Sequence, residues 1–288
     1  MSLGGEFGAA GNGPVPAQAL HRMVDPYLGG FERALTQWSP KLLSLARICI
    51  LSTYFEDGVR MILQRREQAL HFKREWGLGY TPAYMFVFLN MLLQLLPAAL
   101  ILFRKHVKAS CACLAGVVVL QTIAYNMVFD LRFFMRNAAV VGGLLFILAD
   151  EMQQASNIFS MPLFMAATSD NKSTNWLQLA GRMLIVAMFM TLVMFDSGLR
   201  IFIEVIGLVL VLAVAVGFQT KVSAAVLVCM LMIENVLLNA FWMQRPSSTA
   251  FDFKLYDFFQ TMSVIGGLLM IVALGPGGVS LDQSKKSL

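Results

Sequence analysis

Charge is what this sequence has least of. Asp, Glu, Lys and Arg make up only 14% of the 288 residues, against about 25% in soluble globular domains. Apolar residues reach 58%, and the mean hydropathy is +0.68. Too few polar side chains remain to coat a soluble globule of this size. The composition therefore specifies a polytopic membrane protein, and it excludes disordered, collagenous and disulfide-scaffold classes. Histidine is scarce as well: His21, His71 and His106 all lie outside the apolar runs. That leaves no intramembrane imidazole for haem, copper or zinc. The four cysteines, Cys49, Cys111, Cys113 and Cys229, sit in or beside apolar runs without a CxxC pair. They read as small buried hydrophobes. No GxSxG, HExxH or P-loop pattern occurs, so the reading is a non-enzyme without metal or cofactor. A net charge of +5 does not signal nucleic acid, because the cations cluster between apolar runs, where membrane spans are flanked.

What is present is a series of apolar runs. Eight are long enough to be spans, at roughly 42–63, 82–103, 111–129, 134–149, 179–196, 199–218, 222–243 and 258–275, since about 20 residues cross the hydrocarbon core. None alternates with period two, so all are expected to be helical. Before them, residues 1–40 hold no apolar signal-peptide core. Met1 to Gln18 reads as disordered. Tyr27, Leu28, Phe31, Leu35 and Trp38 are spaced for a short amphipathic helix on the membrane surface, with Pro40 just ahead of the first span. Loop 64–81 is rich in charge, and loop 150–178 in Ser, Asn, Thr and Met.

The chain repeats itself. Phe55-Glu56-Asp57-Gly58-Val59-Arg60 near the end of span one matches Phe195-Asp196-Ser197-Gly198-Leu199-Arg200 at the end of span five. Gly142-Gly143-Leu144-Leu145 matches Gly266-Gly267-Leu268-Leu269, each preceded by a Phe-Phe pair. Four spans per half is an even number, so both halves enter the bilayer from the same side as parallel repeats. The expected organisation is a tail over 1–40, a four-helix repeat over 41–150, a loop over 151–178, a second repeat over 179–276 and a tail over 277–288. The mid-span glycine pairs are expected to serve close helix packing.

Lys and Arg are shared almost equally between the two sides of this topology and do not orient it. The end of the chain does. Lys285 and Lys286 stand fourth and third from Leu288, the spacing of a dilysine address read by a cytosolic receptor. Eight spans then place both termini in the cytosol. The sequon Asn171-Lys172-Ser173 falls in a cytosolic loop under this topology and is expected to stay unglycosylated.

Charges within spans are the residues that carry information, because a charge at the bilayer centre costs at least ~2.5 kcal/mol unless paired or functional. Glu56, Asp57 and Arg60 sit together, and Asp196 and Arg200 repeat the spacing. Asp130, Arg132 and Arg136 lie between spans three and four, Glu204 and Glu234 within spans six and seven, and Asp252 and Asp257 in the loop before span eight. Two roles fit equally: structural ion pairs one turn apart, as Glu56 with Arg60, or a ligand site. Asn90, Gln94, Gln121, Asn126, Asn235 and Asn239 read as interhelical glue.

Three stretches resemble the surfeit-four family of endoplasmic-reticulum cargo receptors: Ser52 to Met61, Leu120 to Tyr125, and Lys254 to Ser280. The likeness extends over about residues 25–288. It implies a receptor that binds soluble secretory proteins in the lumen, loads them into COPII vesicles and returns through COPI. Its expected places are the reticulum, the ER-Golgi intermediate compartment and the early Golgi. It also implies kinship with DoxX-like four-helix membrane proteins, in line with the repeat. The family further implies that some cargo is recognised through a short apolar N-terminal peptide. A cation of that kind suits Glu56, Asp57, Asp130, Asp196 and Asp257 as a cargo-binding set. Arg60 and Arg200 would hold the acids in place, and Tyr256, Phe55, Phe195 or Phe258 would receive the apolar side chains. The alternatives are a transporter of lipid or small solute and a DoxX-like oxidoreductase.

Overall fold

The computed structural model describes residues 16–77, 79–126, 129–159, 175–184, 186, 198–246 and 248–275. Among them every regular element is helical. The helices are α1 (Pro16–Leu63), α2 (Arg65–Trp76), α3 (Tyr80–Leu102), α4 (Val107–Ala124), α5 (Leu131–Phe159), α6 (Gly198–Val216), α7 (Thr220–Leu238) and α8 (Thr249–Leu274). Residues 175–184 form a further helical stretch, and Phe241–Met243 a single 3₁₀ turn. Among the described residues five helices are long and apolar enough to cross a membrane: Tyr80–Leu102, Val107–Ala124, Phe133–Gln154, Thr220–Met243 and Thr249–Leu274. Val205–Val216 is a shorter apolar helix. Expected span five falls partly outside the described residues.

Several boundaries differ from the sequence reading, each for a local reason. The surface helix and the first span are one helix, because α1 runs through Pro40 without a break. Proline removes a single N–H from the ladder, and Pro40 is exposed. Arg47, Glu56, Asp57 and Arg60 interrupt the apolar run of α1, which keeps it from standing among the five. The charged loop 64–81 contains α2, capped at its C-terminus by Gly77 in the left-handed conformation (φ +62), where glycine carries no Cβ penalty. The short fourth span is the middle of a 29-residue helix. Span eight begins at Thr249, where Ser248 caps it by accepting from the Phe251 amide at 3.2 Å. Asp252 and Asp257 consequently lie on a helix, not in a loop.

Polarity is arranged inside out. On α3, Asn90 and Gln94 are buried while Met85, Leu89 and Leu96 are more than half exposed. Apolar side chains lose nothing against lipid tails, whereas amides need protein partners. The centre of the molecule is an antiparallel pair, α1 with α8. Hydroxyls stitch it: Ser39 donates to Ala273 O (3.2 Å), Ser263 to Ile50 O (3.4 Å) and Thr53 to Phe259 O (2.8 Å). From α1 the contacts pass to α3, then α4, then α5, and return to α8. These five helices form a closed ring. α7 packs on the other side of α8, with α6 against it.

The glycine pairs serve this packing. A Cβ on Gly266 would stand 2.7 Å from Ala46 O and 2.8 Å from Ile50 N, which is backbone. A Cβ on Gly143 would meet the Ile50 side chain at 3.1 Å. Both halves of the glycine repeat thus close on one residue of α1. Gly266→Ala is expected to force α1 and α8 apart and destabilise the fold by about 1–3 kcal/mol. Gly116→Ala, where nothing lies within 4 Å of the added methyl, is expected to be neutral. Thermal unfolding of the two variants in detergent checks the pair; equal midpoints would show that the seam is not tight.

Candidate functional site

The ring encloses a cavity of about 290 Å³. α1 supplies Glu56, Asp57 and Arg60 to its wall, spaced so that one helical face carries all three. α3 and α4 supply Gln94 and Gln121, and α8 supplies Asp252 and Tyr256. The aromatic lining is Tyr54, Tyr125, Phe133, Phe253 and Tyr256. α2 closes one side through Gln68, which accepts from the Tyr125 hydroxyl at 2.6 Å. His71 of α2 stacks on the same tyrosine at 5.4 Å.

The three charges of α1 divide unequally. Asp57 takes the Arg60 guanidinium on one oxygen. Its other oxygen accepts from Gln94 Nε2 at 2.6 Å and Gln121 Nε2 at 3.0 Å. Asp57 is therefore fully engaged and joins α1, α3 and α4. Glu56 is different. Its side chain is 4% exposed, and neither carboxylate oxygen has a hydrogen-bond donor. Arg60 Nε approaches one oxygen only to 3.5 Å. The expected i,i+4 ion pair of Glu56 with Arg60 is thus present but loose, and Asp57, one residue closer along the helix, is the hydrogen-bonded partner.

Tyr256 sits between two cations, with Arg60 at 5.6 Å and Arg136 at 6.0 Å from its ring centroid, within cation–π range. Arg136 is in turn paired with Asp257. A chain of contacts from Asp57 through Arg60, Tyr256 and Arg136 to Asp257 so links α1, α8 and α5 along the cavity. Phe133 packs on Tyr256 at 5.9 Å.

Of the acids expected to gather, Glu56 and Asp57 line the cavity and Asp257 joins the chain beside it. Asp130 is exposed, and its carboxylate accepts from the Phe133 amide at 3.4 Å at the start of α5. Asp196 and the side chain of Arg200 lie outside the described residues, as do Lys285, Lys286, Phe195 and the sequon at Asn171. Of the expected aromatics, Tyr256 faces the cavity, joined by Phe133; Phe258 belongs to a cluster with Phe241, Trp242 and Phe259, and Phe55 packs against the core. Among the described residues no group of three or more His, Cys, Asp or Glu is placed to hold a metal ion.

The glue reading holds for some amides and is incomplete for others. Asn235 donates to Phe258 O at 3.1 Å and ties α7 to α8. Asn90 bonds within its own helix, to Phe86 O. Gln94 and Gln121 are glue and cavity wall at once. Sequence reasoning missed a further ion pair, Arg47 of α1 with Asp150 of α5, both buried. Asp150 also accepts from Gln154 at 2.8 Å, and Gln154 accepts from Arg104. The signal was available: Arg47 lies just inside span one and Asp150 just past span four, ends that the topology places on one side.

A SURF4 family model matches residues 27–288. The chain belongs to the SURF4 family. It is 41% identical over 256 residues to the Surfeit locus protein 4 homolog of Drosophila melanogaster, covering 88% of this chain and 94% of that protein. It is 34% identical over 263 residues to the Schizosaccharomyces pombe homolog of the same name, covering 88% and 85%. With the ER-derived vesicles protein ERV29 of Saccharomyces cerevisiae it shares 31% over 247 residues, covering 86% and 78%. No solved structure matches. The SURF4 match takes in α2, the cavity and every described residue lining it.

Because Asp57 satisfies donors from three helices, its removal leaves Arg60, Gln94 and Gln121 short of an acceptor. Asp57→Ala is expected to cost about 2–3 kcal/mol, toward the low end for breaking an ion pair because this one is only partly buried. Glu56→Gln, which breaks no hydrogen bond, is expected to cost under about 1 kcal/mol. Unfolding midpoints of the two purified variants test the order, and a larger loss for Glu56→Gln would reverse the assignment.

Proposed function

We propose that this SURF4-family protein is a non-enzymatic cargo receptor that cycles between the endoplasmic reticulum and the early Golgi. Soluble secretory proteins bind from the lumen, COPII carries the complex forward, and COPI returns the receptor through Lys285 and Lys286. The family match and the vesicle protein of yeast among its relatives support the compartment. An eight-span topology with both termini cytosolic is part of the proposal. The antiparallel α1–α8 pair supports it, because a first and a last span that run in opposite directions bring both chain ends to one side.

Glu56 is the observation that carries the binding site. A buried carboxylate at the wall of an aromatic-lined cavity, with Arg60 no nearer than 3.5 Å and no hydrogen-bond donor on either oxygen, has room for a closer cationic donor. The α-amine of a cargo N-terminus is such a cation. Each charge-assisted hydrogen bond it makes contributes roughly 1.5–3 kcal/mol. Asp57, held by Gln94 and Gln121, takes the Arg60 hydrogen bond, leaves Glu56 only the looser ion pair, and supplies the second negative charge. The residues following the amine rest on Tyr256 and Phe133. In the second half, Asp196 and Arg200 occupy the corresponding positions of the repeat.

Glu56→Gln removes the charge and keeps the shape. It is expected to reduce cargo secretion about tenfold or more at normal receptor level, read as the extracellular-to-intracellular cargo ratio in cells relying on the variant. Full secretion would remove Glu56 from the site. Lys285→Ser with Lys286→Ser is expected to leave folding intact and shift the steady state from the reticulum to the Golgi and beyond. Unaltered staining of that double variant would exclude the dilysine address.

A further inference from the structure

A second concavity lies outside the ring and faces the bilayer. It is an open groove between the end of α1 and the first half of α3, with Met61, Ile62, Tyr84, Met85, Phe88 and Met91 along its length. Arg65, the first residue of α2, lines one end together with Tyr80. Lys73 stands over the Tyr80 ring at 3.6 Å. Arg65 and Lys73 form no ion pair among the described residues. The groove is thus cationic at one end and apolar along the rest.

Its length is informative. From Tyr80 to Met91 the helix rises about 16 Å, at 1.5 Å per residue. One leaflet of a bilayer has a hydrocarbon depth of about 15 Å, half of the whole core. Tyr80 opens α3, at the depth where tyrosine sits among headgroups. The cations are therefore at headgroup level, and the apolar channel ends near the midplane. A peptide strand or a partner helix has no reason to stop there, whereas an acyl chain does.

We infer that this groove binds one anionic glycerophospholipid of the bilayer, its headgroup held by Arg65 and Lys73 and an acyl chain lying along Tyr84, Phe88 and Met91. The guanidinium donates to the phosphate, and the second cation selects for an additional negative charge. Because α2 also closes one side of the ring cavity through Gln68, an occupied groove fastens that wall to the membrane. The inference does not depend on what the ring cavity binds.

The test uses the full chain in nanodiscs of phosphatidylcholine containing a minor fraction of phosphatidylserine. One acyl chain of either lipid carries a diazirine. Illumination followed by peptide mass spectrometry is expected to place the phosphatidylserine adduct on residues 80–91, in clear preference to phosphatidylcholine. Arg65→Gln with Lys73→Gln is expected to lower that preference about twenty-five-fold, at roughly fivefold per cation near an anionic surface. Met85→Trp, at a position 64% exposed, fills the groove without touching the core and is expected to abolish the adduct for both lipids. Thermal unfolding of each variant confirms that the fold is retained. Equal labelling by the two lipids, or adducts spread evenly over the outward faces of α3 and α7, would overturn the inference. So would displacement of the label by a second copy of the chain at high protein density.

Discussion

The contact between Gly266 and the backbone of α1 sets the geometry of everything else. With no Cβ between them, α8 approaches α1 closely enough for three hydroxyls to reach carbonyls across the seam. In lipid there is no hydrophobic force to hold two apolar helices together, so close van der Waals packing and such hydrogen bonds do that work. Around the joined pair, α3, α4 and α5 complete the ring. The cavity is the space between them, lined by polar and aromatic side chains together.

Within that ring, electrostatics decides which acid is structural and which is available. Arg60 has two carboxylates within reach on its own helix, three and four residues back. It takes Asp57, and Asp57 is also where Gln94 and Gln121 converge. An acceptor already surrounded by donors is the better partner for a guanidinium, since its own burial is then compensated. Glu56 is left buried with only the looser contact to Arg60 at 3.5 Å. Arg47 and Asp150 make the contrast at the far end of α1. There the acid has both an arginine and Gln154, and the pair simply joins α1 to α5.

Much of this was legible from the residues. Composition alone gave the membrane class, and hydropathy located the five apolar helices to within a few residues at most ends. It failed where a helix is helical for reasons other than apolarity. α2 carries six charged residues in twelve, and the start of α8 is made by a serine cap, so neither announces itself to a hydropathy window. The cluster of Glu56, Asp57 and Arg60 was legible as a cost that something must offset. The identity of the offsetting groups was not, because Gln94 and Gln121 come from helices 37 and 64 residues away. Spacing along one helix favoured Glu56 for Arg60; only the arrival of two amides from elsewhere favours Asp57.

The same limit explains the position of the cavity. A repeat read from sequence suggests a site at the junction of the halves, shared by corresponding acids. The described helices put Glu56 at a cavity walled by α1, α3, α4, α5 and α8, while the matching Asp196 lies outside the described residues. Repetition in sequence specifies similar local structure, yet which faces meet depends on where backbones can approach. Here that is decided by glycine: Gly143 and Gly266 both close on Ile50, drawing α8 across to the partner of α5. The last described helix therefore contributes a wall to a cavity otherwise built by earlier helices. An arginine of α1 and an arginine of α5 then converge on a tyrosine of α8.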